Sequence, residues 1–191
     1  LKDYNRSVVR IALENLNKFK YAPLMSLLET PIITEKSFGL DIAPKINAVG
    51  RLVEDKKINL LVKFLLSEDK EEIFKISSWI KNTNELRKTL TKEAVEALPS
   101  DLLQEEGIAL KLDIKEGLIG LIANKLLNEY NVPVIVFTND SIDKTFLKGS
   151  IRSKEGFKVQ KAFESLSKYI VGGGCHAFAG GLTIKEADLD D

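Results

Sequence analysis

Residues 69–98 contain neither glycine nor proline, and this run limits the possible folds of the chain more than any other feature. Its regularly spaced positions alternate between steps of three and four residues, the spacing of one face of an α-helix. These positions are Ile73, Ile76, Ile80, Thr83, Arg87, Leu90, Ala94 and Ala97. Because Thr83 and Arg87 are polar, we predict one long helix that packs at its ends and crosses solvent in the middle. Pro99 and Ser100 then end it and mark a domain boundary.

The patterns on the two sides of this helix differ. Before it, apolar spacing predicts helices over 5–20 and 58–66, a short helix opening at Pro23, and irregular chain over 34–53. After it, strands and helices alternate, which favours a small α/β domain. The predicted strands are 107–112, 132–137, 145–150 and 177–184, and the predicted helices are 118–130 and 157–169. We therefore predict an α/β protein: a helical N-terminal segment, a long connecting helix and a small C-terminal domain with a mixed sheet.

Composition excludes several classes of protein. The chain has 191 residues, a formal net charge of +0, one cysteine and one histidine. A single cysteine cannot form an internal disulfide and suits a reducing cytoplasm, and one cysteine with one histidine cannot build a Cys/His zinc site. No run of about eighteen apolar residues is present, so we expect no membrane span. The first residue is not methionine, so we expect a fragment of a longer protein; the oligomeric state is not indicated.

The lone histidine lies in an unusual setting. Residues 171–181 hold His176, Cys175 and five of the twelve glycines. Glycine lets a ligand approach backbone N–H groups closely, and successive N–H groups can cradle an anion. Gly173, Gly174 and His176 are therefore candidates for a phosphate-binding loop. The alternative, favoured by the glycine cluster taken alone, is a tight turn that happens to contain histidine.

Two further segments carry groups that suit phosphate. Gly149, Ser150, Arg152 and Ser153 place two hydroxyls and a guanidinium near the end of a predicted strand, with Ser150 and Arg152 on one face. An edge strand with polar outer positions would look the same. From Lys144 to Lys168 there are seven basic and two acidic residues, a local excess that can attract a polyanion. A loop over 44–51, which contains Asn47 and Arg51, is uninformative by itself.

Together these segments resemble the RecJ exonuclease family of the DHH phosphoesterase superfamily. The stretch Ala43-Pro-Lys-Ile-Asn-Ala-Val-Gly-Arg-Leu52 is similar to that family's Pro-Arg-Ile-Asn-Ala-Ala-Gly-Arg-Leu motif. Four more blocks follow in family order and extend the resemblance over most of the chain. They are the Asn-x-x-Arg-Lys block 84–88, the Gly-x-Ile-Gly helix 117–126, the Gly-Ser-x-Arg-Ser strand 149–153 and the Gly-Gly-His-x-x-Ala-Ala-Gly signature at 174–181.

The resemblance implies a division of labour. It implies that residues 1–66 end a DHH catalytic domain, that 67–98 form the connecting helix, and that 99–191 form the DHH-associated domain that binds substrate. It further implies that two Mn²⁺ or Mg²⁺ ions are held by an N-terminal domain that this chain lacks, and that none is bound here. The full-length protein would be a metal-dependent 5′–3′ exonuclease of DNA repair and recombination, with single-stranded DNA as its partner, and the fragment alone inactive.

The same resemblance implies residue roles. His176 would face the metals across a cleft and act in catalysis. Backbone phosphates would be held by a set that comprises Arg51, Asn47, Gly149, Ser150, Arg152, Ser153, Gly173, Gly174 and Lys125. Departures from the family pattern are Cys175 in place of glycine, Gly180 in place of alanine, and Glu116 where histidine is common. Two alternatives stay open: a phosphoesterase for oligonucleotides or cyclic dinucleotides, and a non-catalytic nucleic-acid-binding module.

Overall fold

The computed structural model describes residues 3–53, 55–99, 102 and 106–189. The chain forms two compact units that divide between Lys88 and Thr89. Every helix before residue 70 lies in the first unit, and a five-stranded mixed sheet lies in the second. The predicted α/β class, with a helical N-terminal segment and a mixed sheet after it, is therefore confirmed. The functional domain limits predicted at 66 and 98 stay a prediction.

The N-terminal unit is built from short helices around one apolar core. Helices over 5–20 and 58–66, and a short helix opening at Pro23, were expected at these places and are confirmed within a few residues. The core contains Leu27, Ile42, Val49, Phe64 and Ile80, all with no exposed surface. The elements are α1 (Asp3–Lys18), α2 (Ala22–Ser26), α3 (Glu35–Ser37), a π-helical turn (Phe38–Ile42), α4 (Ala43–Leu52) and α5 (Asp55–Leu66).

The prediction of irregular chain over 34–53 is wrong, because this segment is almost entirely helical. Thr34 and Ser37 form a reciprocal capping box, in which the Ser37 N–H donates to Thr34 Oγ1 at 3.0 Å. Pro44 lies in the first turn of α4, directly after the π-helical turn. There the Ala43 N–H donates to the Phe38 carbonyl, so the regular i→i−4 bonding is already interrupted. Gly39 lies in that π-helical turn, and Gly50 lies in the last turn of α4, where its cost to the helix is small. The residues that suggested a loop therefore lie in the π-helical turn or in the end turns of α4.

The long helix α6 (Lys70–Glu96) has the predicted length, but its burial differs from the prediction. Thr83 and Asn84, in its middle, are buried at 8% and 2% exposure, whereas Ala97 beyond its end is exposed. The Thr83 hydroxyl donates to the Trp79 carbonyl at 2.9 Å, and the Asn84 amide oxygen accepts from Arg87 at 3.2 Å. Polar residues can be buried when their hydrogen bonds are formed locally, so the polar residues in the middle of α6 do not indicate exposure to solvent. Ser100, expected to help end the helix, lies outside the described residues.

The C-terminal unit is a sheet with a helix on each face. The strand order is β1-β2-β3-β5-β4, with β1 parallel to β2 and the other pairs antiparallel. Four strands were predicted, whereas β4 was expected to be a loop. The elements are β1 (Ile108–Lys111), α7 (Glu116–Tyr130), β2 (Val134–Asn139), β3 (Phe146–Arg152), α8 (Val159–Ser165), β4 (Gly172–Cys175), β5 (Ala179–Lys185) and a 3₁₀ turn (Glu186–Asp188).

The two faces of this sheet are covered differently. On one face α7 packs over β2 and β3 with an apolar side that includes Ile122 and Leu126. On the other face Phe137, Leu147, Leu182 and Ile184 form a core against which the Phe163 ring of α8 packs. None of the helices in the described part of the chain has the length and apolar character needed to span a bilayer.

Candidate functional site

Strand register gathers several of the predicted residues on one face of the sheet. Ser150 of β3 is paired with Gly181 of β5, which in turn is paired with Gly174 of β4. Arg152, two residues along β3, is paired with Ala179. Directly paired residues in a sheet share a face, and so do residues two apart in a strand. Ser150, Arg152, Gly174 and Gly181 therefore lie on the same face as α7.

The Arg152 guanidinium is held in place by its neighbours. Its Nη1 donates to Ser150 Oγ at 3.0 Å and to the Ile151 carbonyl at 2.7 Å. The close approach of α7 depends on Gly120, where an added Cβ would lie 3.0 Å from Arg152 Nη2 and 3.1 Å from Ser150 Oγ. Gly120 was not predicted as a site residue, although it belongs to the Gly-x-Ile-Gly block that carries the family resemblance. A guanidinium fixed in this way loses little entropy when it binds an anion.

Three glycines of this region are required by the packing of the fold. A Cβ at Gly149 would lie 2.6 Å from the Phe137 ring, so this predicted phosphate-binding residue faces the core of the opposite face. Gly173 has φ +138°, and a Cβ there would lie 2.2 Å from the Gly181 carbonyl oxygen. A Cβ at Gly180 would lie 2.9 Å from the Cβ of Cys175. For these residues steric packing explains the glycine without any ligand.

Three other glycines have no such explanation. Nothing lies within 4 Å of a Cβ built at Gly172 or Gly174, and at Gly181 the nearest atom is a backbone oxygen at 3.8 Å. Register places all three on the face that carries Ser150 and Arg152. Beside Ser150 this face is therefore bare backbone at Gly181 and Gly174, between Ala179 and Thr183 of β5. The loop predicted here is wrong: Gly172–Cys175 is an edge strand, and the backbone is presented as a flat surface.

His176 lies in the turn that joins β4 to β5, and its side chain is exposed. The His176 N–H donates to the Ala179 carbonyl at 2.7 Å, and Ala179 is the register partner of Arg152. The imidazole is thus at the same end of the sheet as the guanidinium. Two more backbone bonds fix this turn: Ser153 N–H to the Phe178 carbonyl at 2.8 Å, and Val159 N–H to the Ala177 carbonyl at 3.1 Å.

Ser153 has a structural contribution in this arrangement. It is buried at 5% exposure, and its hydroxyl donates to the Phe157 carbonyl at 3.0 Å. Together with its N–H bond to the histidine turn, this makes Ser153 a link between β3, the β4–β5 turn and the chain that leads to α8. Its hydroxyl proton is used inside the fold, so the predicted contact of Ser153 with phosphate stays a prediction.

Two departures from the family pattern compensate each other. Cys175 and Gly180 are cross-strand partners. A Cβ at Gly180 would meet not only the Cys175 Cβ but also two atoms of the Phe163 ring, at 3.0 Å. The Cys175 side chain therefore fits because the residue at 180 has no side chain. The register of the two strands is therefore maintained despite the substitution.

Lys148 continues the polar face of β3 beyond Ser150. Its ammonium lies 3.2 Å from Thr183 Oγ1 and 3.0 Å from Asp140 Oδ2. The Asp140 carboxylate also accepts the Ile142 N–H at 2.8 Å and the Asp143 N–H at 3.2 Å. The Ile142 N–H first, then Lys148 and the Asp143 N–H, hold the pKa of Asp140 below its ordinary value. Lys148 was not among the predicted site residues.

The N-terminal unit carries its own pair of predicted residues. Asn47 and Arg51 lie one turn apart on α4, so they share one side of the helix, with Asn47 exposed and Arg51 half-buried. Burial, followed by the positive charge of Arg51, lowers the pKa of Arg87 from its ordinary value. Arg51 and Arg87 are thus near enough to repel each other, and an anion beside them would relieve this repulsion.

Lys125, the remaining predicted residue, is exposed on α7. Five helical positions separate it from Gly120, which turns its Cβ about 140° away from the side that faces Arg152. Its contact with phosphate stays a prediction. Among the described residues, no group of three or more His, Cys, Asp or Glu side chains could hold a metal ion. These residues therefore do not fit a two-metal centre.

Comparisons with known proteins show which proteins this chain is similar to. Residues 102–191 match the DHHA1 domain family. The "Single-stranded-DNA-specific exonuclease RecJ" of Bacillus subtilis is 31% identical over 100% of this chain and 25% of its own length. The protein of the same name from Haemophilus influenzae is 29% identical over 83% of this chain and 29% of its own length. The chain thus spans between a quarter and a third of the length of these relatives.

Solved structures show the same fold. RecJ from Thermus thermophilus in complex with Mg²⁺ superposes with a TM-score of 0.82 at 23% identity, over 98% of this chain and 29% of that one. A manganese-bound exonuclease RecJ superposes with a TM-score of 0.73 at 24% identity, over 97% of this chain and 47% of that one. The predicted resemblance to RecJ exonucleases is confirmed along the whole chain.

Proposed function

Given this resemblance to RecJ exonucleases, we propose that the chain is the substrate-binding part of a 5′–3′ exonuclease and holds the phosphate backbone of single-stranded DNA. The observation that carries the proposal is the position of Arg152. Its guanidinium is fixed by Ser150 on a sheet face where Gly174 and Gly181 leave the neighbouring backbone open.

The chemistry of this face suits a phosphodiester. A guanidinium presents several N–H donors and forms charge-assisted hydrogen bonds with phosphate oxygens, which are about twice as strong as neutral ones. Ser150 is buried, and its hydroxyl oxygen orients this guanidinium by accepting the hydrogen bond from Nη1. Open glycines let a chain lie close to the sheet without meeting side chains. The basic excess between Lys144 and Lys168 raises the local concentration of a polyanion.

Hydrogen bonds and ion pairs of this kind contact the sugar-phosphate backbone of a nucleic acid and not its bases. Phosphate contacts position a nucleic acid and carry no sequence information directly, so we expect binding that is independent of sequence. The open backbone next to the fixed Arg152 guanidinium can accommodate a single strand of DNA. The names of the curated relatives specify single-stranded DNA, which supports the choice of this substrate over a duplex.

His176 is the residue that we propose for catalysis. It is exposed on a turn fixed by backbone hydrogen bonds, at the end of the sheet where Arg152 lies. An imidazole at this place can donate a hydrogen bond to a phosphate oxygen and position the ester for attack. Hydrolysis itself would take place in a longer polypeptide that binds Mn²⁺ or Mg²⁺ through residues other than those described here. Asn47 and Arg51 would add a phosphate contact in the N-terminal unit.

The wider role follows from the same resemblance. We propose that the full-length protein acts in DNA repair and recombination in the cytoplasm, and that this chain alone does not hydrolyse DNA. The support is the similarity to RecJ exonucleases over the whole chain together with the absence, among the described residues, of a cluster that could hold a metal ion.

The binding proposal is tested by fluorescence anisotropy with a labelled oligomer of ten thymidines and the 191-residue chain. We expect Arg152→Ala to weaken binding by at least tenfold, because a charge-assisted contact is worth about 1.5–3 kcal/mol. Arg152→Lys should recover only part of the affinity, since an ammonium lacks the planar fork. Arg10→Ala is the control, because Arg10 is exposed on α1 and pairs with Glu14. Equal affinities of the Arg152→Ala and Arg10→Ala variants would contradict the proposal.

A further inference from the structure

Lys148 lies on the same sheet face as Ser150 and Arg152, two residues before Ser150 and four before Arg152 in β3. We propose that Lys148, with Thr183, forms a second phosphate subsite that holds the phosphate next to the one bound by Arg152. The inference rests on the proposed function, because it extends the same binding surface.

Register defines the geometry of this subsite. Lys148 is paired with Thr183, and Thr183 is paired with Gly172, whose built Cβ has nothing within 4 Å. The Lys148 ammonium lies 3.2 Å from the Thr183 hydroxyl oxygen. Its side chain is 32% exposed, so an ion in solvent can reach it. An ammonium and a hydroxyl next to open backbone repeat the combination that Arg152 and Ser150 provide.

Spacing matches a polymer of phosphates. The Arg152 side chain reaches back along β3, and its Nη1 lies 3.0 Å from Ser150 Oγ, so the guanidinium lies at the level of Ser150, two residues from Lys148. Residues two apart in a strand are separated by about 6.8 Å. This separation is comparable with the distance between neighbouring phosphates in an extended single strand. A DNA strand that runs along β3 and β5 would therefore place consecutive phosphates at Arg152 and at Lys148. A substrate with a single phosphate would occupy only one of the two subsites.

The ion pair with Asp140 does not prevent this use of Lys148. Asp140 Oδ1 accepts two backbone N–H groups, from Ile142 and Asp143, so the carboxylate stays hydrogen-bonded when the ammonium turns away. A partly exposed ion pair is worth at most about 1 kcal/mol, so exchanging one anionic partner for another costs little. The ammonium also has three donors, which allows it to keep Thr183 while it binds phosphate.

The chain offers a closely matched control. Lys111 has a side chain 34% exposed and forms an ion pair with Glu186, as Lys148 does with Asp140. Its register partner is Phe137, which places it on the opposite face of the sheet. Lys148→Ala and Lys111→Ala therefore each remove one positive charge from the C-terminal unit. Lys148 lies on the sheet face proposed to bind DNA, and Lys111 lies on the opposite face.

The experiment measures the affinity of the 191-residue chain for a ten-thymidine oligomer across a salt series, with thymidine 5′-monophosphate as the one-phosphate probe. Loss of one phosphate contact on a single strand lowers the slope of log K against log[salt] by about 0.7. We expect this change for Lys148→Ala and a smaller one for Lys111→Ala, with mononucleotide affinity equal in the two variants. Asp140→Asn should bind the oligomer more tightly than the unsubstituted chain. Thermal melting checks that each variant is folded.

Each alternative result has a distinct meaning. If Arg152→Ala weakens oligomer binding while Lys148→Ala behaves like Lys111→Ala, the second subsite is refuted and the proposed function stands. If Lys148→Ala also weakens mononucleotide binding, the two residues act on one phosphate and the inference is wrong. If neither Arg152→Ala nor Lys148→Ala affects binding, the proposed function itself fails.

Discussion

Gly180 and Gly181 are neighbours in β5 but face opposite sides of the sheet, and we predict opposite effects when each is replaced by alanine. A Cβ at Gly180 would lie 2.9 Å from the Cys175 Cβ and 3.0 Å from two atoms of the Phe163 ring. A Cβ at Gly181 would meet only the Gly149 carbonyl oxygen, at 3.8 Å. The first substitution therefore overpacks the core, and the second places a methyl group on the open face.

The magnitudes follow from these distances. Overpacking of a core costs about 1–3 kcal/mol, so Gly180→Ala should lower the melting temperature of the C-terminal unit by about 5–20 °C. Gly181→Ala should leave stability unchanged or raise it by up to about 1 kcal/mol, because alanine loses less entropy than glycine in a strand. The same methyl group would separate a bound strand from the sheet, and we expect single-stranded DNA to bind about tenfold more weakly, or about 1.4 kcal/mol.

Thermal melting followed by circular dichroism, and oligomer binding well below the melting temperature, measure the two effects separately. We expect Gly180→Ala to melt early and to bind normally while folded, and Gly181→Ala to be stable and to bind poorly. Destabilisation of both variants to the same extent would show that the assignment of faces is wrong. Normal DNA binding by Gly181→Ala would show that no strand lies over this part of the sheet.

Three further results are expected. In the proposed full-length exonuclease, His176→Ala should lower kcat by about 100-fold, because one hydrogen-bond donor to the reacting group is lost. The melting temperature should be unchanged. An unaltered kcat would remove His176 from the site. Cys175→Gly should restore part of the stability lost in Gly180→Ala. A double-mutant cycle should give a coupling energy of about 0.5–3 kcal/mol between the two positions. Additive effects of the two substitutions would contradict the compensation between them. The depressed pKa of Asp140 contributes stability that is present above the unfolded pKa of about 3.9 and is lost as the pH falls through the lower folded value. On acidification, the stability of the C-terminal unit should therefore fall less in Asp140→Asn than in the unsubstituted chain. Denaturant unfolding at several pH values measures this difference.

The elements with regular apolar spacing could be predicted from the sequence. The helices α6 and α7 were predictable because their apolar residues repeat at helical spacing, and β2 was predictable because residues 134–137 form a continuous apolar run. Segments rich in glycine and proline were predicted less well. In the 34–53 region, Gly39, Pro44 and Gly50 predict a loop because glycine and proline usually break helices. They are compatible with helix here only because Gly39 lies in the π-helical turn and the other two lie in the end turns of α4.

Strand β4 shows a different limit of sequence analysis. Three of its four residues are glycine, which has no side chain to reveal a two-residue period. Only the pairing with β5 makes this segment a strand. The same absence of side chains concealed the difference between Gly173, which packing requires, and Gly174, which faces open space. The sequence indicated candidate site residues, but the three-dimensional pairing was needed to assign each of them to a face.

Polar contacts formed across the sheet were also beyond prediction. Ser150 and Arg152 share a face by strand periodicity, and this much followed from the sequence. Gly120 reaches them only through the packing of α7, and Thr183 reaches Lys148 only through the register of β5. No local pattern specifies such contacts, since they join residues that are far apart in the chain.

The central claim is that the sheet face around Arg152 holds phosphates of a single DNA strand, and the salt dependence of binding tests it most directly. With the 191-residue chain, log K for a ten-thymidine oligomer should fall linearly with log[salt], with a slope of about −1.4 or steeper if two or more phosphates are contacted. Arg152→Ala should reduce that slope by about 0.7, and a duplex of the same length should bind more weakly than the single strand. An affinity that does not change with salt, or that is the same for the Arg152→Ala variant, would contradict the account.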